Sequence, residues 1–322
     1  MPSAYPRIKF PGYPGLQFFA YATISCLNPY IAVILTDRGL DNTRIGLVLT
    51  ANALMSIVAQ PFWGMVSDRI HSIKKVFIIC LAGSSLIFLL MPLIYSLPAL
   101  LVIFPAIIFF TSPMVPLMDT WTYQAMKNQL GQSYGQVRYW GSAGYAVVIV
   151  LVGRVVSLTS IHATSIAFAL TGLVSILISL NLPPLPMETS LNILARKDKP
   201  NPGGLFRNYH YLTFILTLGL LYIAVLPMFG FLPRLMMAVG GTQEMYSWVM
   251  ALSAIVEIPV FICARHLLAR FRPATLVIAA MLFFVVRLYG YSLAAEPLAV
   301  FLVSALNGIS NGLITIGIVS YI

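Results

Sequence analysis

Residues 134–146, YGQVRYWGSAGYA, place one arginine inside a membrane-type helix and follow it with small residues. After Arg138 comes the run Gly141-Ser142-Ala143-Gly144, which lets a neighbouring helix approach closely. A charge inside a membrane helix is costly, so it usually faces an interior cavity, finds a partner and serves a ligand. A long apolar segment upstream carries one carboxylate, Asp119. This pattern predicts a polar site enclosed by membrane helices.

The composition agrees with that prediction. Of 322 residues, 59% are hydrophobic and 9% are charged, and the mean hydropathy is +0.90. Soluble domains carry roughly 25% charged residues, so the lipid bilayer is the expected environment. The formal net charge of +10 comes from basic residues scattered through short loops, without the concentrated basic face of a nucleic-acid binder. No nucleic-acid partner is expected.

Ten apolar segments are long enough to cross a membrane. They are predicted at 14–36, 43–66, 74–95, 98–126, 134–157, 160–182, 208–233, 243–267, 273–294 and 297–322. The stretch 183–207 is polar and proline-rich, and it separates six spans from four. The predicted fold is an all-α polytopic membrane protein. It has an N-terminal six-helix bundle at 1–182, a cytoplasmic linker at 183–207 and a partial C-terminal bundle of four helices at 208–322.

The loop charges predict the orientation of these spans. Fourteen of the 19 Lys and Arg fall on the side of the N-terminus and the linker. Four fall on the other side, namely Arg38, Arg44, Arg154 and Arg234, and Arg287 lies within a span. Because cytoplasmic loops carry the excess of positive charge, both the N-terminus and the linker are expected in the cytoplasm.

Six spans, a linker and further spans follow the plan of the major facilitator superfamily, whose halves each contain six. Four spans after the linker leave the last two absent from this chain, which is our expectation. Residues 64–69, GMVSDR, resemble the superfamily's loop signature between spans 2 and 3. The resemblance implies that Gly64 allows close helix contact, and that Asp68 and Arg69 latch one conformation. His71 replaces the second glycine of the signature, which leaves the geometry of the turn open.

Two acid–base pairs are predicted inside the membrane. Asp119 and Arg138 lie at similar depths on spans joined by a short loop, so their side chains are expected to meet, and a purely structural salt bridge is the alternative. Tyr145 lies two helical turns beyond Arg138 on the same face, where its ring could stack on a ligand. In the second half, Glu257 and Arg287 are expected to come within reach of each other.

Span 10 contributes amides and a hydroxyl to the predicted site. Asn307, Ser310 and Asn311 follow the i, i+3, i+4 spacing of one helix face. With two acids and two bases nearby, the expected centre is polar and nearly neutral.

These residues together resemble the lactose permease group of the major facilitator superfamily over essentially the whole chain. The resemblance implies that Arg138 hydrogen-bonds a sugar, that Tyr145 stacks on its ring and that Asp119 lies beside a substrate-binding acid. It also implies that Glu257 links sugar binding to proton movement and that Arg287 takes part in proton release.

Two departures keep the solute and the coupling open. The histidine and glutamate of the permease's span 10 fall on Asn307 and Ser310, so that part of its proton mechanism cannot be carried over. Tyr145 stands where the permease has tryptophan. Nucleosides and aromatic acids are carried by relatives in the same broad group and remain alternative solutes.

The sequence therefore predicts a secondary transporter of a small polar organic solute, with a sugar or glycoside favoured. Proton-coupled symport by alternating access is expected, with Glu257 or Asp119 as proton carrier, with Asn307 and Asn311 at the substrate and with no cofactor beyond the proton gradient. A monomer in the cell membrane is the expected form. An intramembrane enzyme is disfavoured because no HExxH motif occurs. A non-transporting sensor or remnant is a further alternative.

Overall fold

The computed structural model describes residues 12–127, 134–183 and 209–321. Ten helical segments in this part of the chain are long and apolar enough to cross a membrane. Six precede the linker and four follow it, as predicted. The predicted linker 183–207 lies almost wholly outside the described residues, so the domain boundaries stay a prediction.

The first six spans comprise eight α-helices, because spans 1 and 4 are each interrupted. These helices are Gly12–Ser25, Ile31–Asp37, Asn42–Ile70, Ile73–Leu89, Leu97–Thr111, Met114–Lys127, Tyr134–Leu158 and Ala163–Asn181. Spans 7 to 10 are Tyr209–Ala238, Gln243–Ile262, Pro273–Ser292 and Pro297–Tyr321, with a short helix Ala264–Arg270 after span 8. Span 7 continues five residues beyond its predicted end, and span 8 ends five residues early.

Small residues set the distance between several spans, as the run 141–144 predicted. A Cβ atom at Gly144 would collide with the backbone carbonyl of Phe18 in span 1. Gly308 of span 10 lies against the backbone carbonyl of Ser253 in span 8 in the same way. Glycine at these positions allows backbones to touch, and the gain in van der Waals contact is what holds helices together in lipid.

The apolar core is shared by both halves at one face of the bundle and divided at the other. We call the side where span 1 begins the linker face and the opposite side the far face. A single cluster near the far face joins Tyr30 and Ile149 to Tyr246 and Val249. Towards the linker face, the first half has a core around Trp121 and the second half has another around Phe284.

Hydrogen bonds between the halves also concentrate at the far face. The hydroxyl of Tyr30 lies 3.0 Å from the hydroxyl of Ser247, and Tyr246 donates to the carbonyl of Pro29 at 3.2 Å. Arg154 forms an ion pair with Glu244 at 3.1 Å, and Arg234 donates to Thr36. The structure therefore represents a conformation that is closed at the far face.

The loop between spans 2 and 3 lies at the linker face and makes no latch with the described residues in this conformation. A Cβ atom at Gly64 would meet nothing within 4 Å, so the expected close helix contact is absent. Asp68 and Arg69 are exposed and form no ion pair with the described residues. The latch is expected in one conformation only, and in the present conformation the halves are joined at the far face instead. His71 nevertheless adopts the left-handed conformation (φ 54°) that glycine favours, so the turn is preserved at a modest cost.

Candidate functional site

A cavity of about 390 Å³ lies between the two halves. Its volume is within the range of ligand pockets, roughly 300–1,000 Å³. Spans 1, 5, 7, 8 and 10 all contribute to its wall. The polar and aromatic residues that line it are Tyr21, Asn28, Arg138, Ser142, Tyr145, Phe229, Tyr246, Ser253, Glu257, Asn307, Asn311 and Thr315.

Arg138 is held at the wall of this cavity by aromatic rings from both halves. Its guanidinium carbon lies 4.1 Å from the ring centre of Tyr21 in span 1 and 5.0 Å from that of Phe261 in span 8. A Cβ atom at Gly141 would lie only 2.6 Å from the Tyr21 ring and 3.0 Å from Arg138 Nη1. Glycine at position 141 thus leaves the space in which the cation meets the ring. Such contacts contribute about 0.5–2 kcal/mol each and hold the planar group in a defined orientation.

Glu257 brings a carboxylate from the second half to the same cavity. Ser142, one turn beyond Arg138 in span 5, donates a hydrogen bond to Glu257 Oε2 at 2.7 Å. The positive charge of Arg138 also acts on this carboxylate. The acid that lies across the cavity wall from Arg138 is therefore Glu257 of span 8. The sequence had predicted a pair between Glu257 and Arg287 of span 9.

Asp119 occupies a different position from the one that its depth suggested. Gln17 of span 1 donates to Asp119 Oδ1 at 3.2 Å and to Thr122 Oγ1 at 3.1 Å. Asp119 is not among the described residues that line the cavity. The predicted meeting of Asp119 with Arg138 is replaced by a link to span 1. Equal depth was a poor guide because it does not determine which neighbour a side chain faces.

Arg287 is buried away from the cavity in an aromatic pocket. It is 1% exposed, and its guanidinium carbon lies 4.8 Å from the Phe284 ring, 5.1 Å from Phe229 and 5.9 Å from Tyr291. Its Nε and Nη2 atoms have no hydrogen-bond partner among the described residues. The predicted pair with Glu257 is wrong, because Glu257 is bound to span 5 instead.

Span 10 presents amides to the cavity, as expected. Asn307 and Asn311 both line it, and Thr315 continues the row one turn further along the helix. Ser310 does not share this face, since its hydroxyl is buried and donates to the carbonyl of Leu306 in its own helix. The i, i+3 position therefore belongs to the packed side of span 10.

Tyr145 lines the cavity on the same helix as Arg138, where its predicted role requires it. The rings of Tyr21 and Tyr246, which the sequence pattern did not single out, complete the wall. Tyrosines in apolar spans are common in packed interiors, so the residue type alone does not indicate a position at a cavity wall. Within the described part of the chain, no group of three or more His, Cys, Asp or Glu residues could hold a metal ion.

The described part of the chain forms ten membrane-length helices, and five of them enclose a cavity that contains Arg138 and Glu257. This is the architecture of a multi-pass membrane protein with an internal polar site. The chain belongs to the MFS_1 like family, which matches residues 12–322. The fold, the cavity and this family together identify it as a secondary transporter of the major facilitator type.

Two proteins of related sequence and one solved structure are similar to this chain. The chain is 26% identical over 308 residues to the maltose permease of Geobacillus stearothermophilus, covering 95% of this chain and 76% of the permease. It is 31% identical over 116 residues to the sucrose permease of Escherichia coli, covering 34% of this chain and 28% of that permease. The nucleoside transporter NupG has the same fold, with a TM-score of 0.71, 17% identity and coverage of 95% of this chain and 80% of NupG.

Proposed function

We propose that this chain carries a sugar or a glycoside across the cell membrane together with a proton, by alternating access. The observation that carries the proposal is the composition of the cavity wall. Arg138 and Ser142 come from the first half and Glu257, Asn307 and Asn311 from the second. A solute bound there contacts both halves, so its binding energy changes when the halves move relative to each other.

The chemistry of the wall suits a ring that carries hydroxyl groups. The guanidinium of Arg138 offers several donors in a rigid plane, and Glu257 and the amides of Asn307 and Asn311 add acceptors and donors. The ring of Tyr145 provides a flat apolar surface for the face of a sugar. The printed substrates of the two permease relatives, maltose and sucrose, are of this class. We assign solute recognition to Arg138 and Tyr145. Asp119 has a supporting role, because its hydrogen bond from Gln17 joins span 4 to span 1.

Glu257 is the proposed proton carrier. A carboxylate that crosses as a neutral acid avoids much of the cost of moving a charge between environments. Its hydrogen bond from Ser142 and the positive charge of Arg138 couple this carboxylate to the part of the cavity wall that binds the solute. A solute that binds to Arg138 would therefore change the affinity of the Glu257 carboxylate for a proton. Arg287, a second buried cation in the same half as Glu257, is proposed to assist proton release.

The proton gradient is the proposed energy source, without a bound cofactor. One charge moving through 100 mV supplies about 2.3 kcal/mol, which is enough for roughly fifty-fold accumulation of solute. With the N-terminus and the linker in the cytoplasm, the closed far face is the outer face and the described conformation is inward-facing. The chain is proposed to act as a monomer in the cell membrane, with Asp68 and Arg69 forming a latch in the outward-facing state.

Counterflow in proteoliposomes tests the solute class. Vesicles that contain this chain are loaded with unlabelled maltose, sucrose, a nucleoside or an aromatic acid, and the uptake of the corresponding labelled compound is followed. We expect transient accumulation of a sugar only. Counterflow of the nucleoside would favour the alternative solute class, and absence of counterflow for every compound would favour a non-transporting sensor.

Proton coupling is tested separately with Glu257→Gln. This variant is expected to keep counterflow but to lose accumulation driven by an imposed pH gradient. Glu244→Gln, a change of the same type at the surface ion pair with Arg154, is the matched control and should retain driven accumulation. If Glu257→Gln still accumulates solute and Asp119→Asn does not, Asp119 is the carrier instead.

A further inference from the structure

A second cavity opens beside the central one, within the first half of the protein. It has a volume of about 170 Å³ and lies among spans 1, 2, 4 and 6. Ile24 and Asn28 line both cavities, so the two spaces adjoin at the break in span 1. We call the smaller one the side pocket.

Two interrupted helices border the side pocket. Span 1 leaves the α-helix after Ser25 and passes through a short 3₁₀ turn, Asn28–Tyr30, where Pro29 removes the backbone donor for the carbonyl of Ser25. Span 4 is interrupted between Thr111 and Met114. Irregular backbone at membrane depth is tolerated where it is buried in protein or lines a cavity, and broken helices in transporters commonly mark binding sites.

The break in span 4 is compensated on one side only. Pro113 cannot donate to the carbonyl of Phe109, and the indole of Trp63 in span 2 donates to it instead at 3.0 Å. On the pocket side, the hydroxyl oxygen of Ser112 is buried and has no hydrogen-bond partner among the described residues. This unpaired hydroxyl marks the break in span 4 as a place where the described residues leave a hydrogen bond unmade.

The lining of the side pocket differs from that of the central cavity in charge. Asn28, Ser56, Thr111 and Ser112 supply neutral amide and hydroxyl groups, and Phe168 belongs to its apolar wall. No charged side chain is among the described residues that line it. The central cavity, in contrast, contains a guanidinium and a carboxylate. An uncharged ring with hydroxyl groups on its edge matches the side pocket.

We propose that the side pocket is a second subsite for the transported solute and binds its second, uncharged ring. The first ring occupies the central cavity at Arg138, and the linkage between the rings passes Asn28. The preferred substrates are then two-ring compounds, disaccharides or glycosides with a cyclic aglycone, and single sugars are bound more weakly. This inference rests on the proposed function and narrows it.

The test compares the binding of maltose and methyl α-D-glucopyranoside by isothermal titration of the purified full chain. The wild-type protein is expected to bind maltose at least tenfold more tightly. Ser112→Leu and Ser56→Leu each fill the side pocket from a different helix and should reduce maltose affinity to that of the monosaccharide. Both variants should keep the monosaccharide dissociation constant within threefold of the wild-type value.

Two further variants control for side effects. Thr50→Leu places the same side chain on the exposed surface of span 2, the helix that carries Ser56, and should leave the tenfold preference unchanged. Ser112→Ala keeps the pocket open and should retain most of the preference. Circular dichroism and size-exclusion chromatography verify that each variant keeps its helical content and its monodispersity.

The possible failures are distinguishable. Equal wild-type affinity for both sugars, or an unchanged preference in both leucine variants, means that the side pocket holds water only and overturns this inference alone. Loss of monosaccharide binding in both folded leucine variants shows that the pocket is not a separate subsite, which also overturns it. If the wild-type protein binds neither sugar, the proposed solute class fails together with the subsite.

Discussion

Among the side chains that the structure describes, two arginines are buried in the membrane part of the protein, and their surroundings differ sharply. Arg138 lies at the wall of the central cavity, between Tyr21 of one half and Phe261 of the other, and its charge acts on Glu257. Arg287 lies outside the cavity, between aromatic rings that all belong to spans 7 and 9. Two of its nitrogen atoms have no hydrogen-bond partner among the described residues.

The difference in surroundings indicates that Arg138 can contact the solute, whereas Arg287 can act only through its electrostatic field. A group at the cavity wall, with partners from both halves, can bind a solute and respond to movement of the halves. A cation enclosed by one half cannot touch the solute in this conformation, but its charge acts over several ångströms through a medium of low dielectric constant. Both residues are arginines, so their different proposed roles follow from their positions in the structure alone.

The largest expected effect is the loss of solute binding in Arg138→Lys. Lysine keeps the positive charge near Glu257 but lacks the planar set of donors that binds two acceptor atoms at once. We expect the sugar affinity to fall by about 100-fold, which corresponds to about 2.7 kcal/mol. Isothermal titration with the transported sugar measures this change.

The matched control for that variant is Arg154→Lys, the same change on the same helix at the exposed far face. It should bind the sugar with wild-type affinity. Helical content and thermal stability should be unchanged in both variants. If folded Arg138→Lys binds the sugar within threefold of the wild-type protein, Arg138 is a structural cation and leaves the proposed site.

A smaller effect on binding is expected for Arg287→Met. Methionine fills a comparable apolar space, and removing a buried cation that has no carboxylate partner among the described residues should not lower thermal stability. Sugar affinity should change by less than about fivefold because Arg287 does not line the cavity. Accumulation driven by a pH gradient should decline much more, if Arg287 assists proton release.

Parallel measurements of counterflow and of driven accumulation check this variant. A loss of binding as large as that of Arg138→Lys would abolish the distinction between the two arginines. Driven accumulation at the wild-type level would remove Arg287 from the proposed proton pathway and leave it a packing role only.

The smallest effect is expected at the surface, for Arg154→Gln. The side chains of Arg154 and Glu244 are 59% and 36% exposed, and ion pairs at such positions contribute about 0–1 kcal/mol. The counterflow rate should change by less than about threefold, and the double variant with Glu244→Gln should behave like either single variant. A tenfold change in rate would show that this pair, more than the buried contacts of Tyr30 and Tyr246, controls the closure of the far face.

The sequence by itself determined the class of the protein and the elements of its fold. Hydropathy and length located all ten spans, because lipid requires each crossing segment to satisfy its own backbone hydrogen bonds. The small residues at 141–144 correctly predicted a close approach of another helix. Arg138, Tyr145, Glu257, Asn307 and Asn311 were named from their types and spacing, and all five line one cavity.

Only the tertiary structure decided which of these residues face each other. Depth along a helix can be counted from sequence, but rotation about the helix axis and the choice of neighbour depend on packing with segments far away in the chain. For this reason Glu257 binds Ser142 of span 5 and not Arg287, and Asp119 is joined to Gln17 of span 1. The breaks in spans 1 and 4 add a further change of direction that no periodicity predicts, and they create the side pocket where the two irregular segments meet.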